Sequence, residues 1–126
     1  LAEFMSEAGY TLISEGADEM LFSAPKRAVR AFITPSVRSL DIDKCQGEEG
    51  EDVVVLVPSG ESLEPFVKFY RERGAAAEER DLQIWVTNME KGSIDPCVGY
   101  TTDLDIYNQF ENPRLAEMVR SNWRLR

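Results

Sequence analysis

Two carboxylates and a lysine stand together at Asp41-Ile42-Asp43-Lys44, the densest local set of groups able to hold a divalent ion and polarise a water. On an extended strand Asp41 and Asp43 point to the same side and would share that ion. A solvated acidic loop is the plainer reading of the same residues. Asp103 and Asp105, in Tyr100-Thr101-Thr102-Asp103-Leu104-Asp105, form a second close pair. Here capping of a short helical turn from Ile106 to Phe110 is expected ahead of metal binding.

The chain contains no histidine, which removes Ser-His-Asp and Cys-His nucleophiles, HExxH zinc chemistry and imidazole acid/base work together. No GxGxxG or GxxxxGK[ST] occurs. Pro58-Ser59-Gly60-Glu61-Ser62 links a strand to a helix but has one glycine and an acidic neighbour, so it reads as helix capping rather than a phosphate cradle. Cys45 and Cys97 belong to no CxxC or Cys/His cluster and are expected as two reduced thiols. No catalytic motif is complete, and the balance is against an enzyme.

A net charge of −9 opposes general binding to nucleic acid or anionic membrane, because such binding depends on Lys and Arg neutralising negative charge. Positive charge is locally dense at Lys26-Arg27 with Arg30 and Arg38, and at Arg114, Arg120, Arg124 and Arg126. Arg120 and Arg124 are spaced i, i+4 and share a helix face with a potential to meet an acidic partner or phosphates. Ordinary surface charge is the alternative. The expected partner is a protein, with nucleic acid reached only through these basic patches, a homodimer open, and no membrane. The absence of a long apolar run or a signal-peptide pattern points to the cytoplasm.

The positioning elements follow from periodicity. Leu1, Phe4, Met5 and Ala8 recur at helical spacing, which favours a native helix from about Ala2 to Ala8 over a cloning remnant at residues 1–4, with Gly9 beyond its end. Strands are expected at Tyr10 to Ser14, Met20 to Ser23 and Val29 to Thr34, the first two separated by the turn residues Gly16-Ala17-Asp18. Ser36 to Asp52 reads as a solvated loop carrying an acidic patch. Val53-Val54-Val55-Leu56-Val57 reads as a central strand covered on both faces.

Leu63, Phe66, Val67 and Tyr70 predict a helix ending at Gly74. Leu82 to Thr87 predicts a strand with Leu82, Ile84 and Val86 on one face and Trp85 on the other. Strand, helix and strand in that order make a βαβ unit and hence a parallel pair. Cys97 to Thr101 is expected as one more strand, and Asn112-Pro113 as the start of a helix burying Leu115, Met118, Val119 and Trp123. The whole is expected to be a single α/β domain over 1–126, alone or as a piece of a longer chain, with a small mixed sheet flanked by helices.

An opening helix, a run of strands and a closing strand-helix-strand resemble the restriction-endonuclease-like superfamily. The resemblance implies a divalent metal, Mg or Mn, held between an Asp and a [DE]xK pair, with the lysine helping to activate water. Asp18 lies where the family's Asp would be. The residues two before Lys26, Lys44, Lys68 and Lys91 are Ala24, Ile42, Phe66 and Met89, so no [DE]xK exists. The resemblance covers roughly residues 1 to 100 and implies a catalytically degenerate member acting as an interaction or scaffold domain, accessory to nucleic-acid transactions, without a cofactor. Two alternatives stand beside it. One is a divergent metal-dependent nuclease using Asp18 with Asp41 or Asp43 and Lys44 or Lys26. The other is an acidic chaperone or adaptor, recognisable by an exposed apolar patch.

Overall fold

The structure, a computed structural model, describes residues 1–58, 64–88 and 90–124; side chains are described for all of these but 39, 120 and 122–124. Six strands form one open sheet in the order β1-β2-β3-β4-β5-β6. They are β1 (Thr11–Glu15), β2 (Glu19–Ala24), β3 (Arg27–Ile33), β4 (Glu51–Pro58), β5 (Gln83–Asn88) and β6 (Ser93–Val98). The β1-β2-β3 meander is antiparallel, β3-β4 and β4-β5 are parallel, and β6 closes antiparallel on β5. This is a mixed α/β sheet flanked by helices, as the periodicity implies.

The continuous apolar run of β4 has its cause in this arrangement. Val55 and Val57 enter one core with Phe66, Val67 and Phe69 of α2 (Glu64–Glu79). Val54 and Leu56 enter the opposite core with Met5 of α1 (Ala2–Glu7) and Ile106 of α3 (Leu104–Tyr107). A strand buried on both faces has no polar position to offer. The same alternation divides β5, where Ile84 and Val86 face α2 and Trp85 packs edge-on to Phe110 at 5.3 Å. α4 (Leu115–Arg124) lies on the α2 side through Val119.

Four expectations are corrected. The segment from Ser36 to Asp52 is a solvated loop only at Gln46 to Gly50: it also holds two single-turn 3-10 helices, Val37–Ser39 and Ile42–Lys44, whose Val37 and Ile42 are buried in the α2-side core, and β4 begins already at Glu51. Helix α2 does not stop at Gly74 but continues to Glu79. Gly74 is buried there against the ring of Tyr70, where an added Cβ would stand 3.0 Å from Cδ2, while Ala75, Ala76 and Ala77 are strong helix formers. The last strand runs from Ser93 to Val98 rather than through Thr101, with Pro96 tolerated because β6 is an edge strand. Met118 is exposed, the buried positions of α4 among the described side chains being Ala116 and Val119, and a turn at Asn112-Pro113-Arg114 leads into the helix at Leu115. The capping segment Ser59 to Ser62, Leu63 and the side chain of Trp123 lie outside the described residues.

Candidate functional site

Asp18, Asp41 and Lys44 line one cavity of about 300 Å³ together with Thr34 and Cys45. Asp18 arrives through its main chain, its carbonyl accepting the Ile33 N–H at 2.8 Å and fastening the β1-β2 turn to the end of β3. Asp41 and Lys44 come from the second 3-10 turn and its cap. Burial first, and then the nearby Asp41 carboxylate, hold the Cys45 thiol above its ordinary pKa, so it stays protonated and a poor nucleophile near neutrality.

Asp43 does not join them. The strand on which Asp41 and Asp43 would share one side is absent, because this segment is helical: Asp41 Oδ1 accepts the Asp43 N–H at 3.0 Å as an N-cap. Asp43 is 2.7 Å from the guanidinium of Arg80, which also donates to the carbonyl of Ile42 at 2.8 Å. The two candidate metal ligands are therefore divided between a cap and an ion pair. Among the described residues no three His, Cys, Asp or Glu side chains converge to hold a metal ion. Of the two expected caps it is Asp103 that caps α3, a turn that runs from Leu104 to Tyr107 rather than from Ile106 to Phe110, accepting from Asp105 N–H at 2.9 Å and also from the Tyr10 hydroxyl at 2.6 Å.

The basic residues also separate. Arg30 is enclosed by Glu19 and Glu51, which hold its guanidinium charged, and it in turn holds the Glu51 carboxyl below its ordinary range. Arg27 donates to Thr102 at 3.0 Å and lies 4.0 Å from Asp52. Lys26 is exposed in the two-residue turn between β2 and β3. Arg38 instead faces a cavity of about 330 Å³ with Lys68 and Arg71. Arg114 is 3.8 Å from Glu117 on an exposed surface. The side chains of Arg120 and Arg124, and Arg126 entirely, lie outside the described residues.

A second cavity, about 500 Å³, was not foreseen from local motifs, because its residues come from three stretches of the chain, at 52, 78–83 and 99–102. Asp52 is the second residue of β4, Glu78 and Asp81 stand at and just beyond the end of α2, Gln83 begins β5, and Tyr100 and Thr102 follow β6. Gly99 allows this closure. Its φ of +78° suits glycine, and an added Cβ would stand 2.8 Å from the Leu82 carbonyl. Asp81 also takes a positive φ of 55°, which turns the chain from α2 into β5.

Gln83 is unusual in this cavity. It is a polar side chain only 7% exposed, and its Oε1 accepts the Trp85 indole N–H at 3.1 Å. An indole N–H only donates, so this contact identifies the amide oxygen and leaves the NH₂ as the other arm. Tyr100 of this lining is exposed, as are Leu104 and Tyr107, Leu104 at 73%. Leu104 and Tyr107 share a face of α3 by their i, i+3 spacing.

A protein family described as Domain of unknown function (DUF6834), C-terminal domain, matches residues 31–112, more than half of the chain. The match spans β4, α2, β5, β6 and α3 in full, and with them the residues around the cavity of about 500 Å³. No curated protein matches the chain.

Proposed function

The chain belongs to the DUF6834 C-terminal domain family, and on that premise we propose that it is an interaction domain that binds a basic partner protein rather than transforming a substrate. The observation that carries this is a combination of charge and exposure. A cavity of about 500 Å³, with Asp52, Glu78 and Asp81 at its wall, includes the exposed Tyr100, and Leu104 and Tyr107, which follow within seven residues along the chain, are exposed as well. Carboxylates beside exposed aromatic and aliphatic groups match a partner that is cationic and partly apolar. The net charge of −9 favours the same class of partner. This joins the scaffold and adaptor readings: the scaffold is proposed as restriction-endonuclease-like on the order α1-β1-β2-β3 followed by β4-α2-β5, with the domain working in the cytoplasm and meeting nucleic acid through its partner. No helix of the described residues is long and apolar enough to cross a membrane.

The test is a comparison of crosslinked partners in an extract of the source cell, between the native chain and Leu104→Ser/Tyr107→Ser. Both positions are exposed, so the fold is retained. A partner held by the native chain and lost by the double variant supports the proposal. The same partners captured by both would overturn it.

A second reading is favoured by a separate observation, the convergence of Asp18, Asp41 and Lys44 on one cavity. These are residues a divergent metal-dependent nuclease would use, with Mg or Mn between the carboxylates and the ammonium near the attacking water. The loss of Asp43 to Arg80 leaves two carboxylates there and places this reading second.

A further inference from the structure

We propose that the cavity between the first 3-10 turn and α2 binds the terminal phosphate of a small phosphorylated molecule, a site that goes beyond the protein-interaction reading and does not depend on it. Arg38, Lys68 and Arg71 line about 330 Å³ there, together with Glu64, Pro65 and Val67. Three cations against one carboxylate make the cavity positive in a chain whose net charge is −9. Arg27, Arg30, Arg80 and Arg114 each have a carboxylate within 4.0 Å, whereas Arg38, Lys68 and Arg71 have none among the described residues. Lys68 and Arg71 are spaced i, i+3 on α2, where like charges repel, and Arg38 adds a third positive charge from a separate element. A bound anion relieves that repulsion.

The second observation is where the cavity stands and how its cations are held. β3 and β4 are parallel, and the 3-10 turn follows the carboxyl end of β3 as α2 follows that of β4. Open α/β sheets place their ligands outside that end of the strands. The turn packs against α2, with Val37 beside Arg38 and Val67 beside Lys68 both buried in the α2-side core, and Ser36 Oγ accepts the Arg38 N–H at 3.1 Å. The backbone beneath Arg38 and Lys68 is therefore fixed before a ligand arrives, while the side chains themselves stay exposed. Two of the three cations are arginines, whose paired N–H donors match two oxygens of one phosphate. The volume falls at the low end of small-ligand pockets, about 300–1,000 Å³, and leaves room for an organic group on the phosphate. A phosphate monoester carries about −1.5 to −2 at neutral pH, close to the cavity's excess of positive charge, whereas each diester of a nucleic acid carries a single charge.

The test is an NMR titration of the isotope-labelled chain with phenyl phosphate, at constant ionic strength held with chloride, following the amide N–H groups of Arg38, Lys68 and Arg71. Dimethyl phosphate, a singly charged diester, and a short single-stranded DNA without a terminal phosphate are run in parallel. Phenyl phosphate is expected to shift the three amides saturably at millimolar concentration or below, and the two diester probes to bind at least about fivefold more weakly. Arg38→Gln and Arg71→Gln replace exposed side chains, so the fold is retained, and each should weaken phenyl phosphate at least about threefold. Arg114→Gln, exposed and outside the cavity, should leave it unchanged and so separates a site from general charge attraction. No saturable shift, equal weakening by Arg114→Gln, or a response to dimethyl phosphate as strong as that to phenyl phosphate would overturn the proposal. DNA bound as tightly as phenyl phosphate would overturn it too, by making this face a nucleic-acid contact. Leu104 and Tyr107 lie outside the cavity, so the outcome here is read separately from the partner comparison made with their variants.

Discussion

Trp85 donates its indole N–H to Gln83 Oε1 at 3.1 Å across two residues of one strand, which joins the α1-side core to the wall of the cavity of about 500 Å³. Gln83→Met removes the acceptor and leaves that N–H buried in an apolar core. The expected cost is about 1–3 kcal/mol, the penalty of an unsatisfied buried donor. Urea unfolding followed by Trp fluorescence measures it, and an unchanged midpoint would show that the contact is dispensable.

At Gly99 the backbone φ of +78° and the 2.8 Å approach of an added Cβ to the Leu82 carbonyl act in the same direction. Gly99→Ala should therefore destabilise by more than about 1 kcal/mol, since neither the conformation nor the space suits a side chain. Thermal unfolding tests this. Gly74→Ala is expected to be far milder, because its steric neighbour is the side chain of Tyr70, which can shift, and the helix gains propensity.

These two glycines also show what was legible from sequence. Gly74 looks like a helix terminator, but the alanines beyond it and the Tyr70 ring beside it use the residue for packing instead. Val53 to Val57 and the alternation of Leu82, Ile84 and Val86 against Trp85 were readable because burial of a strand acts residue by residue along the chain. Val37 and Ile42 were not, because each is an isolated apolar residue anchoring a single turn without periodicity. The diversion of Asp43 to Arg80 is a contact between segments far apart in sequence, as is the gathering of Asp52, Glu78 and Asp81. Local spacing carries no signal for either.

The Glu51 carboxyl, bonded to Arg30 through both oxygens at 2.6 and 3.0 Å, titrates below its ordinary range in the folded protein. A group whose folded pKa is lowered contributes stability that is complete above its unfolded pKa and is lost as pH falls through the folded one. Stability should therefore decline from about pH 4.5 downward. Glu51→Gln should flatten that part of the profile while lowering stability at neutral pH. Urea midpoints between pH 3 and 7 measure both, and parallel profiles would contradict the assignment.

Cys97 is fully buried and its thiol is raised well above the usual value by desolvation, whereas Cys45 is half-buried. With an aromatic disulfide reagent at pH 8, one thiol, Cys45, is expected to react slowly in the native protein, and Cys97 only on unfolding. Equal rates for the two, resolved with Cys45→Ser, would place the β6 core open to solvent.

The most direct test of binding without turnover is cleavage of end-labelled single- and double-stranded DNA and RNA at low salt with Mg²⁺ or Mn²⁺, an EDTA control and Asp18→Ala in parallel. The account predicts intact substrates in every lane. Metal-dependent cleavage that disappears in Asp18→Ala would contradict it and make the cavity of Asp18, Asp41 and Lys44 an active site.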